Sequence, residues 1–296
     1  MTTGTFYEHL LSPALKAAQL SFEANQARPV RLGENAIFQF ADTIVRISRP
    51  GQVKAAQREV DVARWLASAG VPAVRPLSVE QPILVEDRAV TFWELLPEHT
   101  PGTVTDVARL LRRLHSLPLP EHLELGTLDP FVRLRDRIAD ASGFFSTEDL
   151  NWLSCRLDHL EQAWDRLPEG QPQSVVHGDA WTGNVARCTD GTAVLLDLER
   201  CSVGPPEWDL VSTAMKTSTV TWLDQADYTR FVESYGGYDV VRWPGFTVMR
   251  DIRELRMTLY FAQHAARPSM RDQAQLRIDC LRGRRGNRPW PWTPDT

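Results

Sequence analysis

The stretch Val175-Val176-His177-Gly178-Asp179-Ala180-Trp181-Thr182-Gly183-Asn184, followed by Leu195-Leu196-Asp197-Leu198-Glu199, decides how this chain is read. A carboxylate, an amide and a second carboxylate stand between short apolar runs. That set suits the removal of a proton from a hydroxyl and the holding of magnesium against a nucleotide's phosphates. Asp179 is the candidate base. Asn184 and Asp197 are the candidate metal ligands, since Mg2+ takes few protein oxygens and keeps the rest as water or substrate phosphate. Asp197 ends the run Ala193-Val194-Leu195-Leu196, and a carboxylate at the end of a buried run needs a cation or a partner. Glu199 is placed to assist. His177 reads as structural, holding the loop by hydrogen bonds.

Asp190-Gly191 between Val185–Cys188 and Ala193–Leu196 is a strong hairpin signal. A two-residue turn there pairs Cys188 with Ala193 and, continued outward, sets Asn184 opposite Asp197. Opposed residues of an antiparallel pair lie about 5 Å apart at Cβ. The expected hairpin thus gathers two ligands that are separated in sequence.

Working outward, residues 28–97 read as a small α+β unit. Two β-rich runs (28–40 and 43–48) precede a helix over 53–69 that stops at Gly70 with Pro72 beyond. Two more strands are expected at 82–86 and 89–96. Leu32-Gly33-Glu34-Asn35-Ala36 is a turn between strands and a weak phosphate-loop candidate, with Gly33 its only glycine. Ala55, Glu59, Val62, Leu66 and Ala69 form one helical stripe, and a charge on such a stripe is costly unless paired. Arg46 alternates with Val45 and Ile47, so it faces the other side of its strand. Arg46 and Glu59 are therefore expected to pair and to present a guanidinium to nucleotide phosphates. From Pro97 onward the chain turns helical. Thr103 with Asp106, and Ser146 with Asp149, are capping pairs, and further helices are expected within 206–218, 225–235 and 246–266.

At 296 residues, 43% hydrophobic and 24% charged, the chain has the composition of a soluble globular protein. A net charge of −5 gives no support to nucleic-acid binding, and there is no run of 18 apolar residues to span a membrane. The start lacks the basic and apolar pattern of a signal peptide. Cys155, Cys188, Cys201 and Cys280 show no zinc or CxxC spacing, which fits reduced thiols and a cytoplasmic location. Between Pro205 and Val240 six acids and two bases are interleaved with Trp208, Trp222, Tyr228, Phe231, Tyr235 and Tyr238. An acidic, aromatic cleft there would suit a cationic, hydroxylated substrate; a helical region with a solvated acidic face is the competing reading. The tail 283–296, with Arg284, Arg285, Arg288 and Pro-Trp-Pro-Trp, reads as a strapped or frayed end.

Taken together, the turn at Gly33, the helix Glu59, Leu114-His115, His177-Gly178-Asp179 with Asn184, Asp197, and Gly204-Pro205-Pro206-Glu207-Trp208-Asp209 resemble the aminoglycoside phosphotransferase family. That family belongs to the kinase-like superfamily with choline and homoserine kinases. The resemblance implies a bilobal, protein-kinase-like α+β fold with a β-rich N-terminal lobe (1–97) and a helical C-terminal lobe (98–296). It implies Asp179 as catalytic base, Asn184 and Asp197 as Mg2+ ligands, and Glu59 as the residue that orients the phosphate-contacting cation. It also implies a hinge over Phe92–Leu96, including Glu94 and Leu95, that holds the base of ATP or GTP, and Asp209 as a brace for the catalytic loop. Relatives usually carry Lys where Arg46 stands. Arg keeps the charge and is bidentate toward phosphate, so binding should survive with altered geometry. The expected activity is Mg2+-dependent phosphoryl transfer to a hydroxyl of a small, cationic or amino-bearing molecule, such as an aminoglycoside-like antibiotic or amino sugar. The alternatives are a choline- or homoserine-type metabolite kinase and a non-catalytic nucleotide-binding regulator.

Overall fold

The computed structural model describes residues 3–33 and 35–294. Strand alternation builds the first sheet. β1 (Arg28–Leu32), β2 (Ala36–Phe40), β3 (Thr43–Pro50), β4 (Ile83–Val85) and β5 (Arg88–Glu94) form an antiparallel sheet in the order β1-β2-β3-β5-β4. Phe38, Phe40, Val45, Ile47, Val90 and Phe92 share one buried face with Leu10, Leu11, Ala14 and Leu15 of α1 (Thr3–Ala17), a helix that no motif announced. Arg46, out of phase with Val45 and Ile47, leaves this face as its position in the strand requires. α2 (Val53–Ser68) buries Glu59, Val62 and Leu66 of the expected stripe, and Gly70 at φ +71° ends the helical run.

The chain divides into two compact units: residues 1–126 with 182–203, and 127–181 with 204–296. This differs from the expected boundary at residue 97, and the pairings explain why. β6 (His99–Pro101) pairs with β8 (Val185–Cys188), which pairs with β9 (Ala193–Leu195). α3 (Val104–His115), capped by Thr103 and Asp106, is tied to the same strands by Arg187 Nη1, which donates to Asp106 Oδ1 at 2.8 Å. The chain from 98 to 126 thus has its partners in the first unit. Gly102 is required there: a Cβ would meet Val185 Cγ1 at 2.5 Å.

The second unit holds α4 (Leu134–Asp140), α5 (Thr147–Trp164), β7 (Ser174–Val176), α6 (Glu207–Ser218), α7 (Gln225–Tyr235), α8 (Phe246–Gln263) and α9 (Pro268–Leu281). Ser146 caps α5 and Asp224 caps α7, each side chain accepting from the backbone N–H three residues on. The tail is strapped down. Trp290 and Trp292 are buried and stacked, Trp290 N–H donates to Thr219 O at 2.7 Å, and Arg288 pairs with Glu254 and Asp251. No helix among the described residues is long and apolar enough to cross a membrane.

Candidate active site

In the first unit the structure forms the expected ion pair. Arg46 Nη1 donates to both Glu59 carboxylate oxygens at 2.7 Å. Arg46 Nη2 also donates to Glu199 Oε2 at 2.8 Å, because the 3-10 turn Leu198–Arg200 packs on α2. With its amide oriented oxygen-inward, Asn35 accepts from Arg46 Nε at 3.1 Å and Nη2 at 2.6 Å. The phosphate-loop candidate is thereby tied to the guanidinium. Glu34 of that turn lies outside the described residues, and a Cβ on Gly33 would meet nothing closer than Arg31 Nε at 3.7 Å. Gly33 is thus not required by crowding.

The charges do not balance. Side-chain exposure is 19% for Arg46, 5% for Glu59 and 36% for Glu199. Asp197 is close enough to act electrostatically on Arg46 and Glu59 as well. Burial pushes the Glu59 carboxyl up to about 7, with Asp197 and Glu199 adding to the rise and Arg46 opposing it. Three carboxylates bear on one guanidinium.

The hairpin register differs from expectation by one residue. Val185 pairs with Leu195, Ala186 with Val194 and Arg187 with Ala193. The turn is a three-residue loop, Thr189–Gly191: Cys188 N–H donates to Thr192 O, Asp190 Oδ1 accepts from Thr192 N–H at 2.8 Å, and Gly191 takes φ +86°. Asn184 therefore faces Leu196, whose N–H donates to Asn184 O at 2.9 Å. Asp197 follows, its backbone turned into the left-handed region at φ +53°, a conformation that Asp tolerates better than most residues. Asn184 and Asp197 thus lie on facing segments, though not directly opposed. Their amide and carboxylate oxygens, beside a cluster with surplus acid, are donors of the hard kind that Mg2+ takes. The described residues contain no cluster of three or more His, Cys, Asp or Glu side chains arranged to hold an ion.

At the expected hinge, Glu94 N–H donates to Arg75 O and Leu95 N–H to Asp42 O, at 2.9 and 2.8 Å. Neither N–H is left for a nucleotide base. What Leu95 offers is an apolar side chain, 38% exposed.

In the second unit the loop after β7 is held by backbone bonds. Asp209, fully buried on α6, accepts from His177 N–H at 2.7 Å and from Gly178 N–H at 2.9 Å, one on each carboxylate oxygen. Trp208 Nε1 donates to Gly178 O at 3.0 Å. The buried His177 ring accepts from Asp179 N–H through Nδ1 at 3.3 Å. Asp179 is thus carried on a rigid turn.

Five of the six acids of 205–240 have partners within the second unit. Glu207 is buried and accepts from Tyr238 OH and from Gln171 N–H, at 2.8 and 2.6 Å. Asp209 holds the loop, Asp224 caps α7, and Asp227 pairs with Arg230. Asp239 accepts from Tyr228 OH at 2.7 Å, and burial together with that carboxylate keeps the phenol above its ordinary pKa. Glu233 is solvated. Trp208, Tyr228 and Phe231 are core.

Residues 27–246, about three quarters of the chain, match the model of the phosphotransferase enzyme family. The chain belongs to that family. It is accordingly a small-molecule phosphotransferase that acts on a hydroxyl group. Solved structures of similar fold include an amicoumacin kinase in complex with AMP-PNP, Ca2+ and Ami, at a TM-score of 0.68 and 12% identity, covering 99% of this chain and 98% of that one. A choline/ethanolamine kinase family protein from Mesorhizobium loti gives 0.63 and 15%, covering 92% and 94%. Aminoglycoside phosphotransferase APH(3'')-Id from Streptomyces rimosus gives 0.58 and 23%, covering 85% and 98%. These likenesses show that the phosphotransferase shares the mixed α+β kinase-like fold. No curated protein matches it significantly.

Proposed function

We propose that this phosphotransferase moves the γ-phosphate of ATP or GTP, with Mg2+, to a hydroxyl of a small molecule. The observation that carries the reading is the acid surplus at Arg46: Glu59, Glu199 and Asp197 outnumber one guanidinium. A cluster of that sign favours a nucleotide that arrives with a divalent cation over a bare anion.

In this reading Asn184 and Asp197 hold the metal, which when bound neutralises phosphate charge. Arg46 takes a phosphate oxygen, and Glu59 fixes its direction. Because Glu59, Glu199 and Asn35 engage the guanidinium, phosphate reaches it by replacing the half-exposed Glu199, not the buried Glu59. The segment around Gly33 covers the phosphates, and Glu94 and Leu95 border the nucleotide base. Asp179 accepts the proton of the acceptor hydroxyl, and positioning with charge neutralisation does most of the remaining work.

The acceptor is proposed to be cationic or amino-bearing. Support comes from the solved relatives, which include phosphotransferases or kinases of spectinomycin, amicoumacin and choline. The acids of 205–240 supply none, since five of the six are engaged by other groups of the second unit. A cytoplasmic location is proposed on the four free cysteines.

The test is transfer of labelled γ-phosphate from ATP and GTP, with and without Mg2+, to aminoglycosides, spectinomycin, amino sugars, choline and homoserine. Transfer to one class is expected. In Asp179→Asn it should fall by at least the roughly 10²–10⁴-fold that a general base contributes, with nucleotide binding retained. Failure to bind either nucleotide in a Mg2+-dependent way would overturn the proposal.

A further inference from the structure

Lys216 lies on α6 seven residues after Asp209, two helical turns along the same face. Asp209 holds the backbone of the loop that carries Asp179. Lys216 Nζ lies 5.6 Å from the ring centroid of Trp181, two residues beyond Asp179. Trp181 is 44% exposed, so this contact is not the floor of a core. Among the described residues the half-buried ammonium makes no hydrogen bond and no ion pair.

The neighbouring cation behaves otherwise. Arg253 of α8 donates through Nε and Nη2 to Trp208 O, at 3.1 and 2.5 Å, and its guanidinium stacks 4.1 Å from the Trp208 ring centroid. Arg253 is therefore committed to the fold, whereas Lys216 is not. Burial, then Arg253, pull the Lys216 pKa below the ordinary lysine range, and Asp179 opposes them. An ammonium placed this way is stabilised by an anionic oxygen.

We propose that Lys216 is an anion-binding residue of the acceptor side, its ammonium taking an anionic oxygen beside the hydroxyl that Asp179 deprotonates. This rests on Asp179 being the base. The oxygen belongs either to the phosphoryl group in transfer or to a carboxylate or phosphate borne by the acceptor.

The chain has only three lysines, Lys16, Lys54 and Lys216, so amine acylation mapped by mass spectrometry reads each one separately. Inorganic phosphate should slow acylation of Lys216 and leave Lys16 and Lys54 unchanged; equal protection of all three, or of none, overturns the proposal. Turnover separates the two sources. If the oxygen is that of the transferred group, Lys216→Met lowers Mg-ATP hydrolysis to water by about 10²-fold, the loss typical of one transition-state donor. The nucleotide KM should hold, and Lys216→Arg should recover most of the rate. If it belongs to the acceptor, hydrolysis is unchanged and the loss is confined to the KM of acceptors that carry an anionic group. A Lys216→Met variant equal to wild type in both overturns the proposal. Phosphate protection is read without turnover, so Lys216 is judged separately from the base assignment, which falls if Asp179→Asn turns over normally.

Discussion

Around Arg46 the chain gathers three carboxylates on one guanidinium, whereas around Asp179 it uses a single buried carboxylate, that of Asp209, to hold two backbone N–H groups. The first arrangement carries net charge and gains stability when a cation arrives. The second is saturated and needs nothing to keep its shape. The difference sets two kinds of region apart: one is an acid-rich cluster around a single guanidinium, and the other presents a side chain on a backbone held by hydrogen bonds. It also locates the sensitivities, which are electrostatic and ligand-dependent in the first region and structural in the second.

The largest effect is expected at Asp197. In Asp197→Ala the cluster loses the carboxylate proposed to hold Mg2+, and Mg2+-dependent nucleotide binding should weaken by more than the roughly 10–100-fold typical of outer-shell metal partners. Titration calorimetry of ATP with and without Mg2+ measures this. Binding that remains Mg2+-dependent at wild-type strength would mean that the surplus charge serves the fold, and the contrast with the Asp179 loop would vanish.

Asp209→Ala should come next, and its effect should fall on stability. It strands the buried His177 N–H and the part-buried Gly178 N–H, and a buried N–H costs about 1–3 kcal/mol when unsatisfied. The expected loss is a few kcal/mol in denaturant unfolding whether or not nucleotide is present. Asp209→Asn, which retains one acceptor oxygen, should lose less. If Asp209→Ala unfolds like wild type, the loop is held by Trp208 and His177 instead.

Local rules on one element made part of this legible in the sequence. The 3.6 period isolated Glu59 on an apolar stripe, strand alternation turned Arg46 away from Val45 and Ile47, and the pair forms across 13 residues as those periods require. The caps at Thr103 and Ser146 were likewise local. The hairpin register was not, because Asp-Gly serves a two-residue turn and a three-residue loop with Gly in the left-handed region equally well. Strand pairing chose the latter and moved Asn184 by one place. The two readings of the acids of 205–240 could not be separated in the sequence for a related reason. Glu207 and Asp239 are bound by Tyr238 and Tyr228, and composition does not show which carboxylates have a phenol waiting. Lys216 did have a signal: its seven-residue spacing from Asp209 puts it on the face that meets the loop carrying Asp179.

The effect most specific to the Arg46 region concerns pH. The Glu59 carboxyl is raised to about 7 from an ordinary value of 4.5, so between those values the folded chain binds more protons at this position than the unfolded chain. Its contribution to stability is therefore fully present below about 4.5 and is lost as pH rises through about 7. The span corresponds to a contribution on the order of 3 kcal/mol for a group this buried. Glu59→Gln removes the titration, so its unfolding free energy should decline less steeply than that of wild type over this window, while the two run parallel above it. Saturating Mg2+ and ATP should lessen the difference, since a bound cation offsets the charge of Asp197 and Glu199 that helps keep Glu59 protonated. Parallel curves throughout the window would show that Arg46 holds Glu59 ionised on its own, and that the three carboxylates around it do not act as one cluster.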